Sequence, residues 1–113
     1  MSDGYLTTHV LDTARGLPAE GIEIVLRRGD EVIARAVTNA DGRTDAPIVP
    51  KGELEVDTYE LTFACGDYLR ALGHDGPLFL DDVPIRFGIA DADAHYHVPL
   101  LLSPFGYSTY RGS

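Results

Sequence analysis

The sequence predicts a small all-β domain, a sandwich or barrel, on three observations. Apolar side chains recur at every second position in several stretches, clusters of Gly, Pro, Asn and Asp separate those stretches, and helical spacing is nearly absent. With 113 residues the chain has room for one domain over residues 1–113, built round a single core. Its 44% hydrophobic and 24% charged residues are ordinary globular usage, which leaves out disordered and fibrous architectures.

Taken in order, "YLTTHVLD" sets Leu6, Thr8 and Val10 on one face and Thr7, His9 and Leu11 on the other. In "GIEIVLRR" the inward set is Ile22, Ile24 and Leu26. Arg28, Gly29 and Asp30 follow; they spell a cell-adhesion tripeptide, but between two alternating stretches they read as a hairpin turn. Further turns fall at 39–45 ("NADGRTD") and 49–53 ("VPKGE"). "DTYELTFA" then aligns Tyr59, Leu61 and Phe63. One short helix is expected in "GDYLRALG", with Tyr68, Leu69 and Leu72 facing inward and Gly73 ending it. After it, "VPIRFGI" aligns Val83, Ile85, Phe87 and Ile89, and "IADADAH" makes a turn. The last alternating stretch, "AHYHVPLLLS", turns Tyr96, Val98, Leu100 and Leu102 one way and His95, His97, Pro99 and Leu101 the other.

On the first and last of these strands both faces carry apolar residues. A face open to water has no need of Leu11 and Leu101, so the outer face is expected to lie under another subunit. His9 and His97 point to that covered surface. Imidazole titrates near neutrality, so two histidines meeting there form a candidate site for proton transfer. A metal site built from His95, His97 and His9 is the competing reading; it ranks lower because no cysteine cluster, His-Glu helix motif or carboxylate-rich set accompanies the pair.

A net charge of −9 argues against nucleic acid and anionic membrane surfaces as partners. It also makes an arginine inside a cleft conspicuous among nine Lys and Arg, and Arg43 and Arg111 stand out for that reason. The single cysteine, Cys65, reads as a buried, inert thiol. The N-terminal residues lack the basic and apolar pattern of a secretory signal, and no run reaches membrane-spanning length, so a cytoplasmic location is expected. Ser103 and Ser108 lack a nucleophile-elbow context, and Asp91 and Asp93 read as turn residues, not as a carboxylate pair or a calcium site.

The segments "LTTHVLDTARGLPA", "TNADGRTDAP", "HYHVPLLLSP" and the closing "YRGS" resemble the 5-hydroxyisourate hydrolases, the purine-catabolism branch of the transthyretin-like proteins. The terminal tetrapeptide is the most specific element, and the resemblance runs over essentially the whole chain. It implies a prealbumin-like (transthyretin-like) sandwich of two four-stranded antiparallel sheets with one short helix. It also implies a homotetramer with its sites in a channel between dimers. The implied activity is hydrolytic opening of the six-membered ring of 5-hydroxyisourate to 2-oxo-4-hydroxy-4-carboxy-5-ureidoimidazoline, with no cofactor and no metal. The motif positions carry His9, Arg43, His97 and Ser113 as catalytic residues and Tyr110, Arg111 and Gly112 as further substrate-binding residues. A transthyretin-type carrier, using the same channel without turnover, is the alternative.

Opening a cyclic amide with water requires a base, positive charge beside the developing oxyanion, and a proton for the departing nitrogen. His9 and His97 can divide the proton work, although sequence does not assign which is the base. Arg43 would hold a neighbouring imidazole neutral and attract the electron-rich ring. The backbone of Gly112 and Ser113, the Ser113 hydroxyl and the chain's carboxylate would bind the ring edge, with Tyr110 offering a flat face and Arg111 a second cation.

Overall fold

The structure, a computed structural model, describes residues 3–112. Eight strands and one helix follow in the order β1 (Tyr5–Asp12), β2 (Leu17–Pro18), β3 (Glu23–Arg28), β4 (Glu31–Val37), β5 (Asp57–Phe63), α1 (Cys65–Ala71), β6 (Val83–Ile89), β7 (His95–Ser103) and β8 (Gly106–Thr109). They form two four-stranded sheets, ordered β2-β1-β7-β8 and β4-β3-β5-β6, and the core lies between them. This is the expected sandwich with one correction: β1 and β7 run parallel, from Tyr5 opposite His95 to Asp12 opposite Leu102, within sheets expected to be wholly antiparallel. A tight hairpin forces antiparallel pairing, but nearly the whole chain intervenes between these two strands, so nothing local fixes their direction.

Alternation decides what is buried. Leu6, Thr8 and Val10 of β1 and Tyr96, Val98, Leu100 and Leu102 of β7 meet Ile24 and Leu26 of β3 and Leu61 and Phe63 of β5 across the core. Thr8 is tolerated there because its hydroxyl donates to the Val98 carbonyl at 2.7 Å. The Gly29–Asp30 turn joins β3 to β4, with Gly29 at φ 61°, a conformation suited to the first central residue of a two-residue hairpin. Arg28 beside it is held by Glu55, with Glu31 and Asp57 nearby.

The helix is one residue offset from expectation and shorter. Tyr68 and Leu69 are buried, but Leu72 falls beyond the last turn and is 41% exposed. Gly73 ends the segment at φ 100°, with its N–H on the Arg70 carbonyl. The Tyr68 hydroxyl donates to Asp12 Oδ2 at 2.7 Å while the Arg15 N–H donates to Oδ1 at 3.0 Å, so the carboxylate at the end of β1 is satisfied although only 3% exposed. Cys65, at the start of the helix, is fully buried, and burial pushes its thiol up to about 12, the inert cysteine expected from its flanks. No helix among the described residues is long and apolar enough to cross a membrane.

Candidate active site

The outer face of the β2-β1-β7-β8 sheet carries Thr7, His9 and Leu11 from β1 and His95, His97 and Leu101 from β7, all half-buried. Parallel register places Tyr5 opposite His95, Thr7 opposite His97 and His9 opposite Pro99, so His9 and His97 are diagonal neighbours on one surface. A cleft of about 440 Å³ opens over His97, with Thr7, His95 and His97 on its floor and Arg43, Thr44 and Asp45 along one wall.

That wall is the 39–45 turn, and the sequence builds it from Asn39. The Asn39 Oδ1 accepts the N–H groups of Asp41 and Arg43 at 2.9 and 3.2 Å, its backbone N–H donates to the Arg43 carbonyl, and its Nδ2 holds Asp45. Gly42, at φ 75°, closes the turn onto β1, where its carbonyl accepts the Val10 N–H at 2.8 Å. A Cβ at this position would lie 2.4 Å from the Val10 carbonyl oxygen and 3.3 Å from Cδ2 of His9, so only glycine lets the turn sit this close. Arg43 emerges from it with no carboxylate in ion-pair range among the described residues.

The same turn sets the state of His9. Its Nε2 lies 2.8 Å from the Asp41 carbonyl oxygen, which can only accept, so Nε2 carries the hydrogen and the lone pair of the neutral ring resides on Nδ1. His97 is held from the other side, its Nδ1 lying 2.8 Å from the Thr7 hydroxyl. Burial, and then the Arg43 guanidinium with smaller contributions from His95 and His9, keeps the His97 imidazole below the usual histidine range and therefore neutral at neutral pH.

The segment after β8 reaches His97 at Gly112. The pairing that sets Leu100 opposite Thr109 continues to a bridge between His97 and Gly112, with the Gly112 N–H on the His97 carbonyl at 2.8 Å. Gly112 lies against the imidazole: a Cβ there would be 2.5 Å from Cδ2 of His97. Tyr110 is 59% exposed and stands opposite Pro99 by the same register. Arg111 is not brought to the histidines of its own chain. Alternation turns it to the inner side of β7, where its guanidinium lies 4.0 Å over the ring of Tyr96, a cation–π contact at the sandwich edge. Ser113 lies outside the described residues.

The structure thus assembles His9, His97, Arg43 and Gly112 around one surface. The sequence pattern gave Thr7 and Tyr5 no role, and it gave His95 none beyond the lower-ranked metal reading. The signal was available, since Thr7 shares the face of His9 two residues away, but a hydroxyl becomes informative only when its partners on β7 are known.

Comparison with known proteins places residues 6–112 within the model of the HIUase/Transthyretin family. The chain is 59% identical to 5-hydroxyisourate hydrolase 2 of Rhizobium meliloti, over 97% of this chain and 97% of the relative. Among solved structures it is similar to the 5-hydroxyisourate hydrolase of Klebsiella pneumoniae, at 39% identity, a TM-score of 0.86 and full coverage of both chains. It also matches (S)-allantoin synthase at 48% identity and a TM-score of 0.94, covering 99% of this chain but only 44% of that longer one.

Proposed function

The chain belongs to the HIUase/transthyretin family, and from that premise we propose that it is a hydrolase that opens the six-membered ring of 5-hydroxyisourate with water. The observation that carries the site assignment is a neutral His97 beside Arg43, which has no carboxylate in ion-pair range among the described residues, over one cleft. His97 takes a proton from water at Nε2 as the water oxygen bonds to the ring carbonyl carbon. Arg43 stabilises the oxyanion that forms. The C–N bond then breaks, and the departing nitrogen receives its proton from the imidazolium, so the base is regenerated. His9, fixed as the Nε2–H form by Asp41, presents its Nδ1 lone pair to orient water or substrate. Tyr110, Arg111, Gly112 and Ser113 are carried as substrate-binding residues by the tetrapeptide. Gly112 has the strongest support, through its contact with His97, and Arg111 the weakest.

The proposal includes a homotetramer in which this outer sheet face lines a channel shared with a second dimer. Half-buried Leu11 and Leu101 beside the histidines support it, as apolar side chains that a second copy would cover. Analytical ultracentrifugation showing one subunit per particle would contradict it. A cytoplasmic location is part of the same reading, and cell fractionation tests it.

The activity itself is tested with freshly generated 5-hydroxyisourate, whose ultraviolet absorbance decays spontaneously. The protein accelerates that decay if the reading holds; identical decay with and without protein would leave binding without turnover.

A further inference from the structure

One hydroxyl stands between two imidazoles on the floor of the cleft. Thr7 Oγ1 lies 2.8 Å from Nδ1 of His97 and 2.6 Å from Nε2 of His95. His95 in turn is stacked on the ring of Tyr5, with centroids 4.1 Å apart and planes 5° from parallel. A hydroxyl owns a single hydrogen, so Thr7 donates to one imidazole and accepts from the other. The two rings therefore do not choose their tautomers independently. When His97 donates from Nδ1 to Thr7 and Thr7 donates to His95, the Nε2 of His97 is a free lone pair, a base. When both bonds reverse, His97 carries its hydrogen on Nε2 and is an acid.

We propose that Thr7 and His95 form a proton relay behind His97, in which the Thr7 hydroxyl fixes the tautomer of His97 and passes positive charge from it to His95. The inference rests on the role of His97 proposed above. In the balanced step, a proton from water binds Nε2 of His97, the Nδ1 hydrogen of His97 moves to Thr7 Oγ1, and the original Thr7 hydrogen moves to Nε2 of His95. His97 is left neutral with Nε2–H, and His95 holds the charge against the face of Tyr5. Running the step backwards returns the proton to the departing ring nitrogen.

The surroundings favour moving charge off His97. His9 and Tyr5 on β1, Arg43 and Asp45 on the 39–45 turn and the backbone of Gly112 all bear on this pair of rings. Burial, and then the guanidinium of Arg43, disfavours a cation at His97 itself. Thr7 and His95 act through His97 and are positioning residues.

The test compares Thr7→Val, Thr7→Ser, His95→Phe and the double variant Thr7→Val/His95→Phe in the absorbance assay, with His97→Ala as reference. Valine keeps the β-branched shape of Thr7, and phenylalanine keeps the stacking on Tyr5. The relay predicts that Thr7→Val lowers kcat about 10²-fold with KM little changed, the low end of what positioned proton transfer supplies. Thr7→Ser should restore most of the loss, His95→Phe should match Thr7→Val, and the double variant should be no worse than either. In mixtures of light and heavy water the parent kcat should follow a curved proton inventory, and Thr7→Val a linear one. Parental kcat in Thr7→Val, equal impairment of Thr7→Ser, or additive losses in the double variant would overturn the relay while an inactive His97→Ala leaves the site reading intact. A fully active His97→Ala overturns both.

Discussion

Replacing Gly112 with alanine puts a methyl carbon 2.5 Å from Cδ2 and 3.2 Å from Cγ of His97, where ordinary contact begins near 3.4 Å. Something must yield by about 0.9 Å, the gap between 2.5 and 3.4 Å. If the imidazole yields by that much, its 2.8 Å bond to Thr7 lengthens beyond hydrogen-bonding range and the orientation of Nε2 is lost. If Gly112 yields, the 2.8 Å bond from its N–H to the His97 carbonyl opens and Gly112 leaves the site. Either way a reacting group is displaced by close to 1 Å, which costs about 10²-fold in kcat/KM. The fold should not suffer, because Gly112 follows the last strand and supports no core residue. The assay is the decay of 5-hydroxyisourate absorbance, with circular dichroism and a thermal melt alongside. Gly88→Ala is the control, since a Cβ there meets nothing within 4 Å. Parental kcat/KM in Gly112→Ala would refute the reasoning, showing that the contact with His97 does not position it.

Two further outcomes follow from the same geometry. Because the His97 pKa is lowered, first by burial and next by Arg43, the acidic limb of kcat/KM should lie below the ordinary histidine value of about 6.5. Arg43→Gln removes one of the causes and should move that limb to higher pH while lowering the plateau; a limb that stays in place would separate Arg43 from His97. The sign for stability is the same. In the window between the folded pKa and about 6.5 the unfolded chain binds more protons, so this histidine makes stability rise with pH, and His97→Gln should flatten that slope in thermal melts. Away from the site, Tyr68→Phe leaves the nearly buried Asp12 carboxylate without its 2.7 Å donor and should cost about 1–3 kcal/mol in urea unfolding.

Much of the sandwich was legible because a strand has a strict period of two. The inward sets on β1, β3, β5 and β7 came directly from alternation, and so did the outward direction of His9 and His97. What alternation does not contain is the direction and register in which strands distant in sequence pair, so the parallel run of β1 beside β7 was not foreseen. That contact is what brings Thr7 between His95 and His97, and its absence from the reading is why the hydroxyl carried no meaning there. The place of Arg111 was hidden for a related reason: as a charge in a sequence motif it shows no direction, and the β8 register turns it within this chain to the opposite side of the sheet from the histidines. Leu72 fitted a helical face only on the assumption of a full second turn, and the helix stops one residue before it. The Asn39 turn was recognised as a turn, yet its hold on His9 through the Asp41 carbonyl depends on Gly42 touching β1, a tertiary contact.

The most direct trial of the account is kcat of His97→Ala on freshly generated 5-hydroxyisourate, with the variant's melting temperature and particle mass matched to the parent. Loss of the base should bring the absorbance decay close to the spontaneous rate. A correctly assembled variant that turns over substrate at the parental rate would show that ring opening does not pass through this imidazole.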